Sequence, residues 1–471
     1  MYSNTLPRRK KMLDLLSGIK NSDFSPSLNI GCLHDIPTGI YLKGIHGENL
    51  LSGGMSNINA MCGRGNMYKT AFLLYWMLSI LDRYISCCNF YDCEDTMQLM
   101  RIVKHARKML NYLLSKSWDD ESFFKLTRGK DVDGTEWFTW LKSISELRSK
   151  LPKDQVFETP FLDKEGKKIK ILFPFVTVID SFSMFYTKGV EKIQEKGIGE
   201  SERNMEFMRD GSAKTQMLRE LNRVNTKGGI YTLMSAHVGD EHQLDPYAPP
   251  SKKLAFLPNR SKLKDVPEKF TFLTTNCFQA ISSSVLINQN TKTVEYPRNQ
   301  NDDLKNDTDL VLVTVKTLRS KNGPSGIIHD FVISQSEGVQ VSLTEFWYIK
   351  SYGRFGLDGN DRTYFLDLYP NVNLSRTTIR GKIENDPKLR RALEITSELC
   401  QMTNLWHDMP EGLLCTPKEL YTSLKDKGYD WDRLLSTRGW WTFDNDKHPI
   451  PYLSTKDLLE MRIGTYQPYW Y

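Results

Sequence analysis

The chain has 471 residues, with 63 Lys or Arg against 57 Asp or Glu, for a formal net charge of +6. Hydrophobic residues make up 39% and aromatic residues 11%, which is enough apolar material for a buried core, so disorder along the whole chain is not expected. The length predicts two or three structural units. The small positive charge permits a polyanionic partner without requiring one.

The sequence shows no targeting or membrane-spanning pattern. Its basic N-terminus has no apolar stretch long enough for a signal peptide, and no run approaches the ~20 apolar residues of a membrane span. We therefore expect a soluble, intracellular protein with no membrane partner. The eight cysteines form no C-x-x-C pair with a matching second pair, which indicates neither a zinc site nor a disulfide framework.

The first predicted elements are a short helix and then a strand, a loop, a helix and a strand. Residues 7–20 have the spacing of a basic amphipathic helix that can cap its own domain or dock on a neighbour. Residues 40–70 have a strand-and-turn pattern that runs into a glycine loop. The run AFLLYWMLSILDRY that follows has the length of a buried helix, and ISCCNFYD is typical of a strand.

The middle of the chain continues this alternation after a variable stretch. Residues 96–165 are predicted to be an insertion that begins with a long basic amphipathic helix and ends in a polar hairpin near residues 163–166. The runs KIKILFPFVTVIDSF and IYTLMSAH are typical of buried strands, and MLRELNRVNTKGG between them predicts a helix that ends at glycines. This alternation predicts an α/β fold with a largely parallel sheet. From residue 356 to 471, helical stretches and frequent tryptophans predict a separate, smaller, α-rich C-terminal domain.

Residues 62–71, CGRGNMYKTA, resemble the phosphate-binding loop G-x-x-x-x-G-K-[ST], except that Tyr68 stands where the second glycine belongs. In such a loop, backbone N–H groups and a helix N-terminus surround the phosphates, the lysine neutralises the β/γ oxygens, and the hydroxyl reaches Mg²⁺. We expect Tyr68 to keep a helical backbone with its ring pointing away. The pattern predicts that ATP and Mg²⁺ are bound by Gly63, Arg64, Gly65, Asn66, Met67, Tyr68, Lys69, Thr70 and Ala71.

Carboxylates follow two of the predicted strands. Glu94 comes after NFYD and can polarise a water molecule, and Asp180 ends VTVID, where it can organise Mg²⁺ together with Thr70. The alternative for both carboxylates is a cap on the next helix. His237 ends IYTLMSAH and is predicted to sense the γ-phosphate, the alternative being a packed polar side chain.

With these residues in view, the sequence resembles the RecA-type recombinases, most closely the phage-encoded UvsX-like branch. The resembling stretches lie between residues 36 and 350 and include the glycine loop, NFYDCED, VTVIDS, LMSAH and TDLVLVTVKTLRSKNGPSG. A bulky aromatic replaces the second glycine in UvsX-like proteins, which implies that Tyr68 is a lineage variant. The resemblance implies that Glu94 is the general base, Asp180 the Walker B carboxylate and His237 the nucleotide-sensing residue.

The resemblance also implies a RecA-like P-loop ATPase core over residues 36–355 and an N-terminal helical oligomerisation segment over residues 1–35. The family forms helical filaments with ATP between protomers, and basic residues of one subunit reach the phosphates held by its neighbour. A solvated strand edge is the alternative for these basic residues, and which two of them act is left open. The candidates are Lys316, Arg319 and Lys321.

DNA contact is implied for the loops that follow the Asp180 and His237 strands, about residues 188–213 and 238–275. The second loop contains a basic run without acidic residues over 251–264, where cations suit phosphates and an aromatic ring can stack on a base. A solvated basic surface is the alternative. The residues predicted to contact DNA are Lys252, Lys253, Phe256, Arg260, Lys262 and Lys264.

The implied function is that of a DNA-dependent ATPase that forms helical filaments on single-stranded DNA and promotes homologous pairing and strand exchange in recombination and repair. The expected partners are single-stranded and double-stranded DNA, further copies of the chain, and single-strand-binding and loader proteins, in the cytoplasm of a phage-infected bacterial cell. Two alternatives stay open. One is a hexameric helicase motor of the same core fold, and the other is a nucleotide-binding filament scaffold without strand exchange.

Overall fold

The computed structural model describes residues 25–84, 86–106, 123–150, 156–187, 200–241, 255–258, 261–299, 307–360 and 362–471, without the side chains of 200–207. The helix predicted over residues 7–20 lies outside this part of the chain. Three of the residues predicted to contact DNA also lie outside it, namely Lys252, Lys253 and Arg260.

The described strands, in chain order, are β1 (Ile40–Lys43), β2 (Asn49–Ser52), β3 (Ile58–Gly63), β4 (Cys87–Asp92), β5 (Phe124–Arg128), β6 (Val156–Leu162), β7 (Lys168–Leu172), β8 (Phe175–Asp180), β9 (Ile230–Asp240), β10 (Ser261–Leu263), β11 (Asn276–Val285), β12 (Leu310–Ser320), β13 (Ile328–Ser334), β14 (Gly338–Val339), β15 (Leu357–Gly359), β16 (Tyr364–Leu366) and β17 (Tyr369–Leu374). The described α-helices are α1 (Cys32–Asp35), α2 (Lys69–Tyr84), α3 (Leu99–Ala106), α4 (Gly134–Arg148), α5 (Glu200–Gly228), α6 (Phe270–Leu273), α7 (Val341–Ser351), α8 (Ile379–Asn385), α9 (Pro387–Leu405), α10 (Pro417–Asp426), α11 (Trp431–Leu435) and α12 (Thr455–Ile463).

The central sheet of the described residues has ten strands, in the order β14-β13-β12-β11-β3-β9-β8-β4-β5, with β10 paired to the end of β9. The strands from β11 to β5 in this order run parallel, and β12, β13 and β14 continue the sheet antiparallel. The predicted α/β class with a largely parallel sheet is therefore confirmed. The chain leaves β3 towards β4 and later returns to the other side of β3 at β11, so a crevice forms at the carboxyl end of β3.

The parallel strands are buried because helices cover both faces of the sheet. Alternate residues of β3 join two different apolar clusters, since successive side chains of a strand point to opposite faces. Ile58, Ala60 and Cys62 belong to the cluster formed with α4 and α5, whereas Met61 belongs to the cluster formed with α2, α7 and α9. Helix α2 fully buries Trp76, and the packed helix holds the glycine loop at a fixed place on the sheet.

The segment predicted as an insertion over residues 96–165 contributes a strand and a helix to the core of the described structure. Strand β5 lies at the edge of the central sheet and pairs in parallel with β4, and α4 packs its apolar side on α5. The polar hairpin predicted near residues 163–166 is confirmed, because β6 and β7 pair antiparallel across it. Asp163 shapes this turn by accepting hydrogen bonds from the backbone N–H groups of Glu165 and Lys167.

Both predicted DNA-contact loops contain regular structure. Helix α5 begins at Glu200, so residues 200–213 of the first predicted loop are helical rather than a loop. In the second, β9 extends to Asp240 and pairs antiparallel with β10, and the short helix α6 follows. Residues 241–260 connect β9 to β10, and of these 241 and 255–258 are described.

The C-terminal part begins with a three-stranded antiparallel sheet, β15-β16-β17, and is helical only from α8 onward. Its buried residues belong to the same apolar cluster as α2 and α7. Polar contacts join it to the N-terminal part as well: Asn49 donates from its backbone and side chain to Asp457, and Trp406 donates to the carbonyl oxygen of Ile36. The predicted domain boundary at residue 356 thus falls inside one continuous buried cluster.

None of the described helices is both long and apolar enough to cross a lipid bilayer.

Candidate functional site

The predicted site residues converge at one edge of the sheet. Strands β3, β4 and β8 end there at Gly63, Asp92 and Asp180, and β9 passes the same edge at His237. In the sheet register, Gly63 lies beside His237 and Asp92 lies beside Asp180. Carboxyl ends of parallel strands are the usual place for ligand crevices in α/β proteins. The structure therefore brings together residues that are far apart in the sequence.

The glycine loop connects β3 to the first turn of α2. The side chain of Lys69 is largely buried and donates a hydrogen bond of 2.9 Å from Nζ to the carbonyl oxygen of Arg64, which closes the loop on itself. Burial lowers the pKa of Lys69, opposed by the nearby Asp180 and Glu94 carboxylates. A helix N-terminus beside an ammonium group is an environment that favours anions.

The backbone of Tyr68 differs from the expectation. Tyr68 has a φ of 56° and Asn66 a φ of 59°, so both lie in the left-handed region, whereas a helical backbone was predicted for Tyr68. Helix α2 begins one residue later, at Lys69. The glycine of the standard motif suits this position because glycine adopts positive φ without strain. Tyr68 thus takes the glycine conformation rather than avoiding it.

Asp180 links three elements at the base of the site. Its carboxylate accepts hydrogen bonds from the hydroxyl of Thr70 at 2.7 Å and from the hydroxyl of Ser235 at 2.5 Å. Burial raises the pKa of Asp180, and the two hydroxyl donors oppose that rise. Ser235 was missed by the sequence analysis, although it lies in the same run, LMSAH, as His237.

Glu94 and His237 form a pair above this base. Nε2 of His237 lies 3.1 Å from Oε1 of Glu94, and this hydrogen bond is the main cause that lowers the pKa of Glu94. The turn that presents Glu94 is shaped by buried Asp92, which accepts hydrogen bonds from the backbone N–H groups of Glu94 at 3.2 Å and Met97 at 2.6 Å. Asp92 was not singled out from the sequence, and its position two residues before Glu94 is the only signal for it.

The glycine loop, Glu94, Asp180 and His237 line one cavity of about 470 Å³. Three of its lining residues, Thr96, Arg101 and Gln335, were not predicted; the cation Arg101 comes from α3, in the segment taken for an insertion. The remaining lining residues are Gly65, Asn66, Met67, Tyr68, Lys69, Thr70, Glu94, Asp180 and His237. Of the predicted loop residues, Gly63, Arg64 and Ala71 do not line the cavity, and Arg64 instead forms an exposed ion pair with Asp240.

Of the residues predicted to act across a subunit interface, Lys316 and Arg319 lie on β12 and Lys321 follows its last residue; none of the three lines this cavity. Nζ of Lys316 lies 5.5 Å from the ring centre of Phe256, and the guanidinium of Arg319 lies 5.6 Å from the ring centre of Phe272. Burial, and then Arg319, lowers the pKa of Lys321. Phe256, which was predicted to stack on bases, therefore packs in this chain against a cation predicted for another role.

The two remaining described residues of the predicted DNA site, Lys262 and Lys264, are exposed. Lys262 lies on β10 opposite Gly239, and the backbone N–H of Lys264 donates to the carbonyl oxygen of His237 at 2.8 Å. One of these basic residues of the second predicted loop, Lys264, is thus hydrogen-bonded to the backbone of His237, the residue paired with Glu94.

The fold and the cavity define an α/β protein with a polar site at the carboxyl edge of a mostly parallel sheet, at the start of a buried helix. No protein-family model matches this sequence, and no curated protein matches it.

The oxygen atoms of the cavity suit a metal ion that is bound together with a phosphate ligand. Among the residues described, no group of three or more His, Cys, Asp or Glu side chains is arranged to hold a metal ion. Mg²⁺ usually takes one or two carboxylates, and substrate phosphates and water supply its other ligands. The Thr70 hydroxyl and the Asp180 carboxylate, 2.7 Å apart and both lining the cavity, fit that pattern.

Proposed function

We propose that this chain is a RecA-like P-loop ATPase that is stimulated by DNA, forms helical filaments on single-stranded DNA, and promotes homologous pairing and strand exchange. The observation that carries the proposal is the convergence of the Thr70–Asp180 hydrogen bond and the Glu94–His237 pair on one cavity beside Lys69. A phosphate-binding loop with a hydroxyl, a strand-end carboxylate and a second carboxylate forms the set of groups that nucleotide hydrolysis requires.

The loop residues 65–70 would bind the triphosphate. Backbone N–H groups at the start of α2 and the Lys69 ammonium offer positive charge to it, and Thr70 and Asp180 would hold Mg²⁺. When bound, Mg²⁺ neutralises charge that develops on the phosphate oxygens. The cation Arg101 and the amide of Gln335 line the same cavity and would contact the nucleotide.

Glu94 would act as the general base. Its lowered pKa keeps the carboxylate ionised at neutral pH, so it can accept a proton from an attacking water. Its side chain is about one third exposed, so water reaches it, and the hydrogen bond from His237 fixes its orientation. His237 therefore contacts Glu94 through its ring and Lys264 through its backbone carbonyl oxygen.

Binding of single-stranded DNA is supported by the exposed Lys262 and Lys264 next to His237. Nucleic-acid phosphates attract such cations without regard to base sequence. Filament formation follows from the family resemblance, and the inter-subunit roles of Lys316, Arg319 and Lys321 follow from it too.

The test is ATP hydrolysis with and without single-stranded DNA, combined with negative-stain electron microscopy of the same samples. We expect DNA to stimulate phosphate release and open helical filaments to form with ATP. Lys69→Ala, which removes the buried ammonium, should abolish turnover, and exposed Lys164→Ala serves as its control. Closed hexameric rings would favour a helicase motor instead. Filaments without any turnover would favour a scaffold. A protein that neither assembles nor hydrolyses ATP would refute the proposal.

A further inference from the structure

We infer that Ser183 and the buried ion pair Lys214–Asp210 are positioning residues that couple the nucleotide site to two chain segments at the predicted DNA loops. One is residues 181–187, which lead from β8 into the first predicted loop, and the other is residues 261–265, which contain β10 and lie within the second. The inference rests on the proposed function, because it concerns how nucleotide would control DNA binding.

Ser183 makes the link that starts at the nucleotide site. Its side chain is buried, and its Oγ accepts a hydrogen bond of 2.9 Å from the backbone N–H of His237 and donates one of 2.8 Å to the carbonyl oxygen of Lys264. The N–H of Lys264 in turn donates to the carbonyl oxygen of His237. One hydroxyl in the turn after β8 therefore joins the residue paired with Glu94 to the residue that follows β10.

Lys214 and Asp210 make the second link, from helix α5. Nζ of Lys214 lies 3.1 Å from Oδ2 of Asp210, donates to the carbonyl oxygen of Asp265 at 3.2 Å, and lies 5.3 Å from the ring centre of Tyr186. Asp210 accepts hydrogen bonds from the backbone N–H and the hydroxyl of Thr187, at 2.9 and 2.7 Å. One helix therefore holds the last described residues of segment 181–187 and the end of segment 261–265.

Stability alone is a weak reason for this pair. Lys214 is 2% exposed and Asp210 6%, and taking two charges out of water costs about as much as their attraction returns, so apolar residues of similar size often stabilise a fold equally well. An ion pair with further hydrogen bonds instead imposes one geometry on its partners. Here the partners are the segment that leads into the first predicted DNA loop and the β10 segment within the second.

The two links form one connected set of contacts. A change at His237 acts on Ser183 and Lys264 through hydrogen bonds, and the next residue, Asp265, is fixed to α5 by Lys214. The arrangement of both segments thus depends on the state of the Glu94–His237 pair. Removing the Lys214–Asp210 pair should leave the cavity intact while the segments lose their common anchor.

The experiment compares the affinity for a fluorescent single-stranded oligonucleotide in the presence of ADP and of a non-hydrolysable ATP analogue, at one fixed salt concentration. The variant is Lys214→Met with Asp210→Asn, which removes both charges but keeps a carbonyl oxygen for Thr187. The control is Lys142→Met with Glu220→Gln, which removes the more exposed ion pair between α4 and α5. Ser183→Ala tests the other link separately.

We expect the wild type and the control to bind DNA more tightly with the ATP analogue than with ADP. The ratio of these two affinities should be lower by about fivefold or more in the Lys214/Asp210 variant and in Ser183→Ala. Nucleotide affinity without DNA should stay unchanged, and Lys214→Arg should restore part of the ratio. A wild-type ratio that persists in both variants would overturn this inference alone. A wild type that does not bind nucleotide, or that binds DNA equally well with ADP and with the ATP analogue, would overturn the proposed function together with this inference.

Discussion

Tyr68 carries a backbone conformation that its side chain does not favour. A left-handed φ costs an ordinary residue about 1–2 kcal/mol, more for β-branched residues and less for asparagine. We expect Tyr68→Val to be less stable than Tyr68→Asn by roughly 1 kcal/mol, because both lose the ring but only valine strongly disfavours φ near 56°. Chemical denaturation of the two variants measures the difference. Equal stabilities would mean that the loop relaxes to another conformation.

Glu94 is the residue whose substitution tests the proposed water activation most directly. Glu94→Gln keeps the size of the side chain and an oxygen for His237, but it cannot accept a proton from water. We expect ATP turnover to fall by about 10²- to 10⁴-fold, with nucleotide affinity little changed. Single-turnover phosphate release and equilibrium nucleotide binding measure the two quantities. Exposed Glu268→Gln is the control, and unchanged turnover in Glu94→Gln would move water activation to another group.

Individual site residues could be predicted where they belong to the glycine loop or lie at the end of an apolar strand. The sequence predicted Lys69, Thr70, Glu94, Asp180 and His237, and the structure places all of them on one cavity. Arg101, Gln335 and Ser235 could not be found in this way, because only the packing of α3, the β13–β14 turn and β9 brings them to the site. The conformation of Tyr68 was missed because a sequence pattern gives the residue type but not its φ.

Among the strands and helices, apolar strands were easier to predict than polar or edge strands. β3, β8 and β9 are buried and rich in apolar residues, so their pattern is strong. β5 reads FKLTR, has one fully buried residue and lies at the sheet edge, so it gave no comparable signal. Helix α5 begins with charged residues and contains Gly211, which is why residues 200–213 were taken for a loop.

The start of α4 shows how one side chain can define an element. Asp133 is its N-cap, and Oδ1 accepts hydrogen bonds from the backbone N–H groups of Thr135 at 2.8 Å and Glu136 at 3.0 Å. Losing such a cap costs about 1 kcal/mol. We expect Asp133→Ala to lower the free energy of unfolding by that amount while nucleotide affinity stays unchanged. Denaturant unfolding measures it against the exposed Asp131→Ala, which should have little effect.

Buried polar side chains lie where the N-terminal part, α7 and α9 meet. The thiol of Cys32 contacts Oε1 of Glu345 at 3.5 Å and the hydroxyl of Ser397 at 3.3 Å. Glu398 is also buried there. The separate C-terminal domain was predicted from a change in helical rhythm along the chain, and such a change gives no information on which surfaces then become buried together.

Glu345 makes the joint between these parts sensitive to pH. Burial, and then the neighbouring Glu394 and Glu398 carboxylates, raises the pKa of Glu345 to about 8. A raised pKa means that the folded protein keeps the proton while the unfolded chain releases it. The stabilising contribution of the neutral carboxyl is therefore complete below its ordinary pKa, and it is lost progressively as the pH rises towards 8.

Glu345→Gln removes this titration while keeping the shape and the oxygen that faces Cys32. The variant should gain stability relative to the wild type between pH 5 and pH 7, by about 2–3 kcal/mol, because each pH unit in which only the unfolded state ionises is worth about 1.4 kcal/mol. Urea denaturation at the two pH values measures the change, with exposed Glu411→Gln as the control. If the variant and the wild type differ in free energy of unfolding by the same amount at both pH values, Glu345 ionises normally. The N-terminal part, α7 and α9 would then have to accommodate a buried charge at neutral pH.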